Sequence, residues 1–88
     1  MIIKKISQNY YEIEVIVREI IFGNTTIDRF IGWDEVEATT LKLRCEDCTV
    51  MVFKSDIKYF KNIENGFRFK ALVSVWKENI YTFKKFLE

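Results

Sequence analysis

The stretch Cys48-Thr-Val-Met-Val-Phe-Lys-Ser-Asp-Ile-Lys-Tyr-Phe-Lys-Asn-Ile-Glu-Asn-Gly-Phe-Arg-Phe69 decides how this chain is read. It opens on a β-branched run, Cys48–Lys54, with the composition of a strand. Ser55–Ile63 then predicts a short helix. Ser55 is placed to cap it, Asp56 favours its first turn, and Ile57, Phe60 and Ile63 recur on one face. Asn65-Gly66 supplies a stop, after which Phe67, Phe69, Ala71, Val73 and Val75 alternate with Arg68, Lys70, Leu72, Ser74 and Trp76. Strand, helix, strand is therefore the middle of the molecule, and Phe60 and Ile63 are expected to be buried.

Working backwards, Val36–Cys45 reads as a strand joined to Cys48–Lys54 by Glu46-Asp47. A two-residue turn sets the register. Leu43 opposes Val50 and Leu41 opposes Val52 on one face; Arg44 opposes Thr49, Lys42 opposes Met51 and Thr40 opposes Phe53 on the other. Working forwards, Lys77-Glu78-Asn79 suits a three-residue hairpin loop, with Asn79 tolerating positive φ. That loop pairs Val75 with Tyr81, Val73 with Phe83 and Phe69 with Leu87. On the opposite face it pairs Trp76 with Ile80, Leu72 with Lys84 and Lys70 with Phe86.

The first third holds one long strand, Tyr10–Phe22. Tyr11, Ile13, Val15 and Val17 lie on one face, and the tail Ile16-Arg18-Ile20-Phe22 puts apolar residues on the other. A strand that changes its buried face midway bends or carries a bulge. Gly23-Asn24 reads as a turn. Thr25–Trp33 reads as either a second strand or an irregular loop, broken around Gly32, Trp33 and Asp34.

The order is long bent strand, strand, strand, short helix, strand, strand, with Cys48–Phe53, Ser55–Ile63 and Glu64–Phe69 its most telling part. This pattern over Tyr10–Leu87 resembles the OB-fold, the Greek-key barrel that binds oligonucleotides or oligosaccharides. The fold expected is mostly β: a small five- to six-stranded antiparallel barrel with one short helix, in a single domain over residues 1–88. If residues 25–38 form two true strands, an SH3-like barrel or a small sandwich fits as well.

Composition narrows the function. Eight Phe, four Tyr and two Trp with three Gly and no Pro describe a chain built to fold. There is no His, so the commonest general base and zinc ligand is missing. Ser7, Ser55 and Ser74 sit in no nucleophile motif, and no glycine-rich phosphate loop exists. The expectation is a non-enzymatic protein with no cofactor. Asp34, Glu35 and Glu37 are read as a solvated acidic loop rather than a cation site. Cys45-Glu-Asp-Cys48 leaves three readings open: thiols capping the core, a disulfide, or half of a metal site shared with a second chain. No stretch is apolar enough to span a membrane, and Met1-Ile-Ile-Lys-Lys lacks the apolar segment of a signal peptide. The expectation is a cytoplasmic protein that does not enter membranes.

The net charge of +1 does not advertise a polyanion partner, but its distribution is uneven. Residues 10–38 carry two Arg against seven Asp/Glu, while residues 39–88 carry ten Lys/Arg against six Asp/Glu. The candidate surface is the outer face of the hairpin over residues 36–54. Lys42 and Arg44 are placed to meet phosphates, and Met51 and Phe53 to offer apolar platforms for bases. The OB-fold resemblance points to the same hairpin, its usual ligand face. Lys54, Arg68, Lys70, Trp33 and Trp76 would extend the site. The expected function is binding of single-stranded DNA or RNA. The alternative is a protein-interaction or homodimerisation module using Trp76, Ile80, Leu72 and Phe86.

Overall fold

The computed structural model describes residues 2–31 and 40–87, with side chains from residue 4. Its elements are β1 (Ile2–Lys5), β2 (Tyr10–Phe22), β3 (Thr25–Ile27), β4 (Arg29–Phe30), β5 (Thr40–Cys45), β6 (Thr49–Phe53), a 3-10 helix (Lys54–Phe60), β7 (Ile63–Glu64), β8 (Arg68–Lys77) and β9 (Ile80–Phe86). Around the molecule the strands run β2, β5, β6, β9, β8, and β8 pairs back with β2. That closes a five-stranded barrel, with β1 and β3 added on β2 and a separate β4–β7 pair beside it. The fold class is as expected, mostly β with one short helix, but the barrel is mixed: β6 and β9 run parallel, through Thr49↔Ile80, Val50↔Tyr81 and Met51↔Thr82.

The first barrel strand is the long one the alternation marks, Tyr10–Phe22. Ile13, Val15 and Val17 point inward, as do Ile20 and Phe22. The inward set changes parity at Arg18, which is exposed where the pairing with β5 slips between Val17 and Glu19. This bulge bends the strand so that one element serves two sides of the barrel. Gly23, at φ 62°, makes the turn that follows.

Thr25–Trp33 resolves into two short strands as far as it is described. β3 folds back on β2, and β4 pairs with β7 through Arg29↔Glu64 and Phe30↔Ile63. Phe30 is fully buried and stacks on Phe22, ring centroids 5.1 Å apart. Residues 32–39, and with them Trp33, the Asp34/Glu35/Glu37 cluster and the start of the expected strand at Val36, lie outside the described residues.

The helix plugs the barrel from within. Ile57 and Phe60 are fully buried. The Phe60 ring lies 4.8 Å from Phe83, 5.0 Å from Phe86 and 5.5 Å from Phe69, centroid to centroid. Two details differ from the sequence reading. The helix is 3-10, spans Lys54–Phe60 and has Phe53 at its N-cap with no side-chain cap, so Ser55 is not the cap. It ends at Lys61 and Asn62, the latter at φ 64°, rather than at Asn65-Gly66. Ile63 is buried as expected, but from β7, beyond the helix. Gly66, at φ 97°, instead turns the chain into β8: its N–H donates to the Val17 carbonyl at 2.7 Å, and the Val17 N–H donates to the Phe67 carbonyl at 2.8 Å. The turn is thereby fastened to the bend of β2.

The β8–β9 hairpin keeps the expected Val75↔Tyr81 and Val73↔Phe83 pairs. Shifts between Leu72 and Val73 and between Val75 and Lys77 change the rest. Lys77, not Trp76, opposes Ile80; Lys85, not Lys84, opposes Leu72; and Phe86 opposes Ala71 rather than Lys70. The turn is therefore two residues, Glu78-Asn79, with Asn79 at φ 62°. Among the described residues no helix is long and apolar enough to cross a membrane.

Candidate functional site

The β5–β6 hairpin positions the candidate surface, and its register is the one the two-residue turn dictates. All five described pairs, Thr40↔Phe53, Leu41↔Val52, Lys42↔Met51, Leu43↔Val50 and Arg44↔Thr49, match the alternation. Leu41, Leu43, Val50 and Val52 are fully buried in the core. That commits Lys42, Arg44, Thr49, Met51 and Phe53 to the outer face.

A second strand pair completes the site. The Thr49 N–H donates to the Asn79 carbonyl at 2.9 Å, and β9 runs parallel to β6 from Ile80. The tip of the β8–β9 hairpin therefore lies beside the start of β6, edge to edge. Ile21, Lys42, Arg44, Thr49, Met51, Trp76 and Ile80 line one open groove. Trp76 is 50% exposed and Phe53 42% exposed; their rings lie 6.2 Å apart and tilted by 51°. At that spacing no base fits between them, so each ring offers an outward face. The Lys77 Nζ stands 5.7 Å from the Trp76 ring centre, a cation–π distance.

Met51 is 8% exposed and forms the groove floor instead of the open platform expected from sequence. Lys42 is half-buried and has no ion-pair partner among the described residues. Arg44 is exposed and reaches Glu19 on its paired position of β2 at 3.5 Å, a loose surface contact that an incoming anion can replace. Lys54 is exposed at the start of the helix, directly after Phe53. Ile21, Trp76, Lys77 and Ile80 complete a site that local pattern assigned only in part.

Arg68 and Lys70 do not join this groove. They stand on the opposite end of β8 and line a second one with Glu14, Tyr59, Phe67 and Phe86. Arg68 meets Glu14 at 3.9 Å. Of the apolar alternative, Trp76 and Ile80 belong to the hairpin groove, Phe86 to the second one, and Leu72 is half-buried between them.

Cys45 and Cys48 are free and half-buried against the core, at the tip of the β5–β6 hairpin. The Cys45 N–H donates to the Cys48 carbonyl at 2.8 Å, and the Cys45 thiol donates to the Leu43 carbonyl at 3.6 Å. Interaction with the neighbouring Cys48 thiol, reinforced by burial, pushes the Cys45 thiol up. The same pairing holds Cys48 below the usual thiol range, against the opposing effect of burial. Among the described residues no group of three or more Cys, Asp or Glu is arranged to hold a metal ion.

These features define a class: a small closed β-barrel, compatible with an OB-like fold, carrying a basic and aromatic groove lined from all five of its barrel strands. Comparison with protein-family models, with curated proteins and with solved structures finds no match in any of the three.

Proposed function

We propose that this protein is a non-catalytic, OB-like binder of single-stranded nucleic acid, and that the β5–β6 hairpin groove is its binding surface. The observation that carries the reading is the grouping of exposed Trp76 and Phe53 with Lys42, Arg44 and Lys77 around one groove. Single-strand binding combines these two elements, cations that track phosphates and rings on which bases stack. The OB-like part rests on the closed five-stranded barrel and on a helix between its third and fourth strands.

Fluorescence anisotropy with a labelled oligonucleotide tests it. Phe53→Ala and Trp76→Ala should each weaken binding by about 1–3 kcal/mol, the range for one base stacked on one ring. Wild-type affinity in both variants would remove the groove from the reading.

A second reading has its own observation. Phe53 and Trp76 are large, apolar and exposed side by side, with Ile80 close by, which is also the composition of a protein contact. In that case the occupant is another protein or a second copy of this chain. Sedimentation across a concentration series separates the two: self-association lost in Trp76→Ala favours the protein contact.

A further inference from the structure

We infer that the groove around Tyr59, Lys70 and Phe86 is a second contact for the same single strand. A strand leaving the hairpin groove would reach it along the outer face of β8 and β9. This rests on the nucleic-acid reading above and extends its footprint.

The second groove repeats the chemistry of the first at the far end of the β8–β9 hairpin. Tyr59 is 55% exposed and Phe86 38% exposed. Arg68 and Lys70 are exposed on its rim. Its placement follows from the helix: with Ile57 and Phe60 buried, Tyr59 falls on the outer side, and the Gly66 turn brings Arg68 and Lys70 beside it. The one carboxylate in the lining, Glu14, meets Arg68 at 3.9 Å and directly opposes Lys70 across the β2–β8 pair.

The two grooves are joined by continuous sheet. From Ile80 to Phe86, β9 covers about 20 Å at a strand's rise per residue, within the 36 Å long axis of the molecule. Along that path the outer positions are the Ser74↔Thr82 pair, then Leu72 with Lys84 and Lys85. Both lysines are exposed, and no Asp or Glu occurs within β8 or β9. The β9 lysines suit a phosphate backbone, with Glu12 and Glu14 of β2, paired with Leu72 and Lys70, bounding the path on its β2 side.

The experiment is a length series of labelled oligothymidylates of about 4, 8 and 12 nucleotides, spanning the site sizes of single-domain binders. It compares wild type with Tyr59→Ala/Lys70→Ala. Wild type should gain at least about tenfold in affinity from the shortest to the longest, through one more stacked base and about one more phosphate contact. The double variant should bind the shortest oligonucleotide as wild type does and lose that gain. Its salt slope on the longest should fall by about one. Circular dichroism confirms that the variant folds, both residues being at the surface. If the longest oligonucleotide binds no tighter than the shortest, or the variant matches wild type at every length, the second contact is overturned while the hairpin reading stands. Binding at no length overturns both.

Discussion

At the scale of single residues, Phe60 carries most. It is fully buried, and three other phenylalanine rings surround it within 5.5 Å, centroid to centroid. Phe60→Ala should cost about 3–5 kcal/mol, the loss of an aromatic transfer energy plus the cavity left in a barrel that cannot collapse onto it. Chemical denaturation measures this, and an unchanged midpoint would show that the helix is not a plug. The cysteines make a different test. Cys48 is the more readily ionised of the two, while the Cys45 thiol donates to the Leu43 carbonyl. A limiting alkylating reagent at mildly alkaline pH should therefore label Cys48 before Cys45, since the thiolate is the nucleophile. Peptide mass spectrometry reads the order, and preferential labelling of Cys45 would contradict this order of ionisation.

At the scale of elements, what was legible in the chain depended on whether local chemistry alone settled the geometry. The β5–β6 register was legible because a two-residue turn joins two strands of strict alternation, leaving one pairing that buries Leu41, Leu43, Val50 and Val52. Lys42, Arg44 and Phe53 came with it. The β8–β9 register was half legible, because its bulges arise from barrel curvature and leave no mark in the alternation. The short hairpin strand β1 beside β2 left no alternation long enough to read, and the parallel β6–β9 pair and the β4–β7 pair were not legible because they join segments distant in the sequence. For the same reason Trp76 and Ile80 joined the hairpin groove while Arg68 and Lys70 went elsewhere. Asn79 links these elements. It sits at φ 62° in the β8–β9 turn, and its carbonyl accepts from Thr49 of β6. Asn79→Gly should leave stability nearly unchanged, whereas Asn79→Val, forced into the left-handed region, should lose about 1–2 kcal/mol. Thermal unfolding of the two variants side by side checks this; equal losses would mean the backbone conformation is not what matters there.

At the scale of the whole molecule, a net charge of +1 conceals a division of surfaces. The tip of the β5–β6 hairpin carries Glu46 and Asp47, which with Glu14 line a pocket where Arg68 also lies. The groove on that hairpin's outer face instead gathers Lys42, Arg44 and the Lys77–Trp76 pair. Long-range attraction for a polyanion should thus be weak and local cation contacts should matter more. The most direct test is the salt dependence of oligonucleotide binding by wild type and by Lys42→Ala/Arg44→Ala. The wild-type affinity should fall linearly on a log–log plot. The double variant should bind more weakly with a slope shallower by about 1–2, because each cation removed leaves one phosphate with its counterion still condensed. A wild-type affinity independent of salt, or a double variant with the wild-type slope, would contradict the assignment of this groove to a single strand.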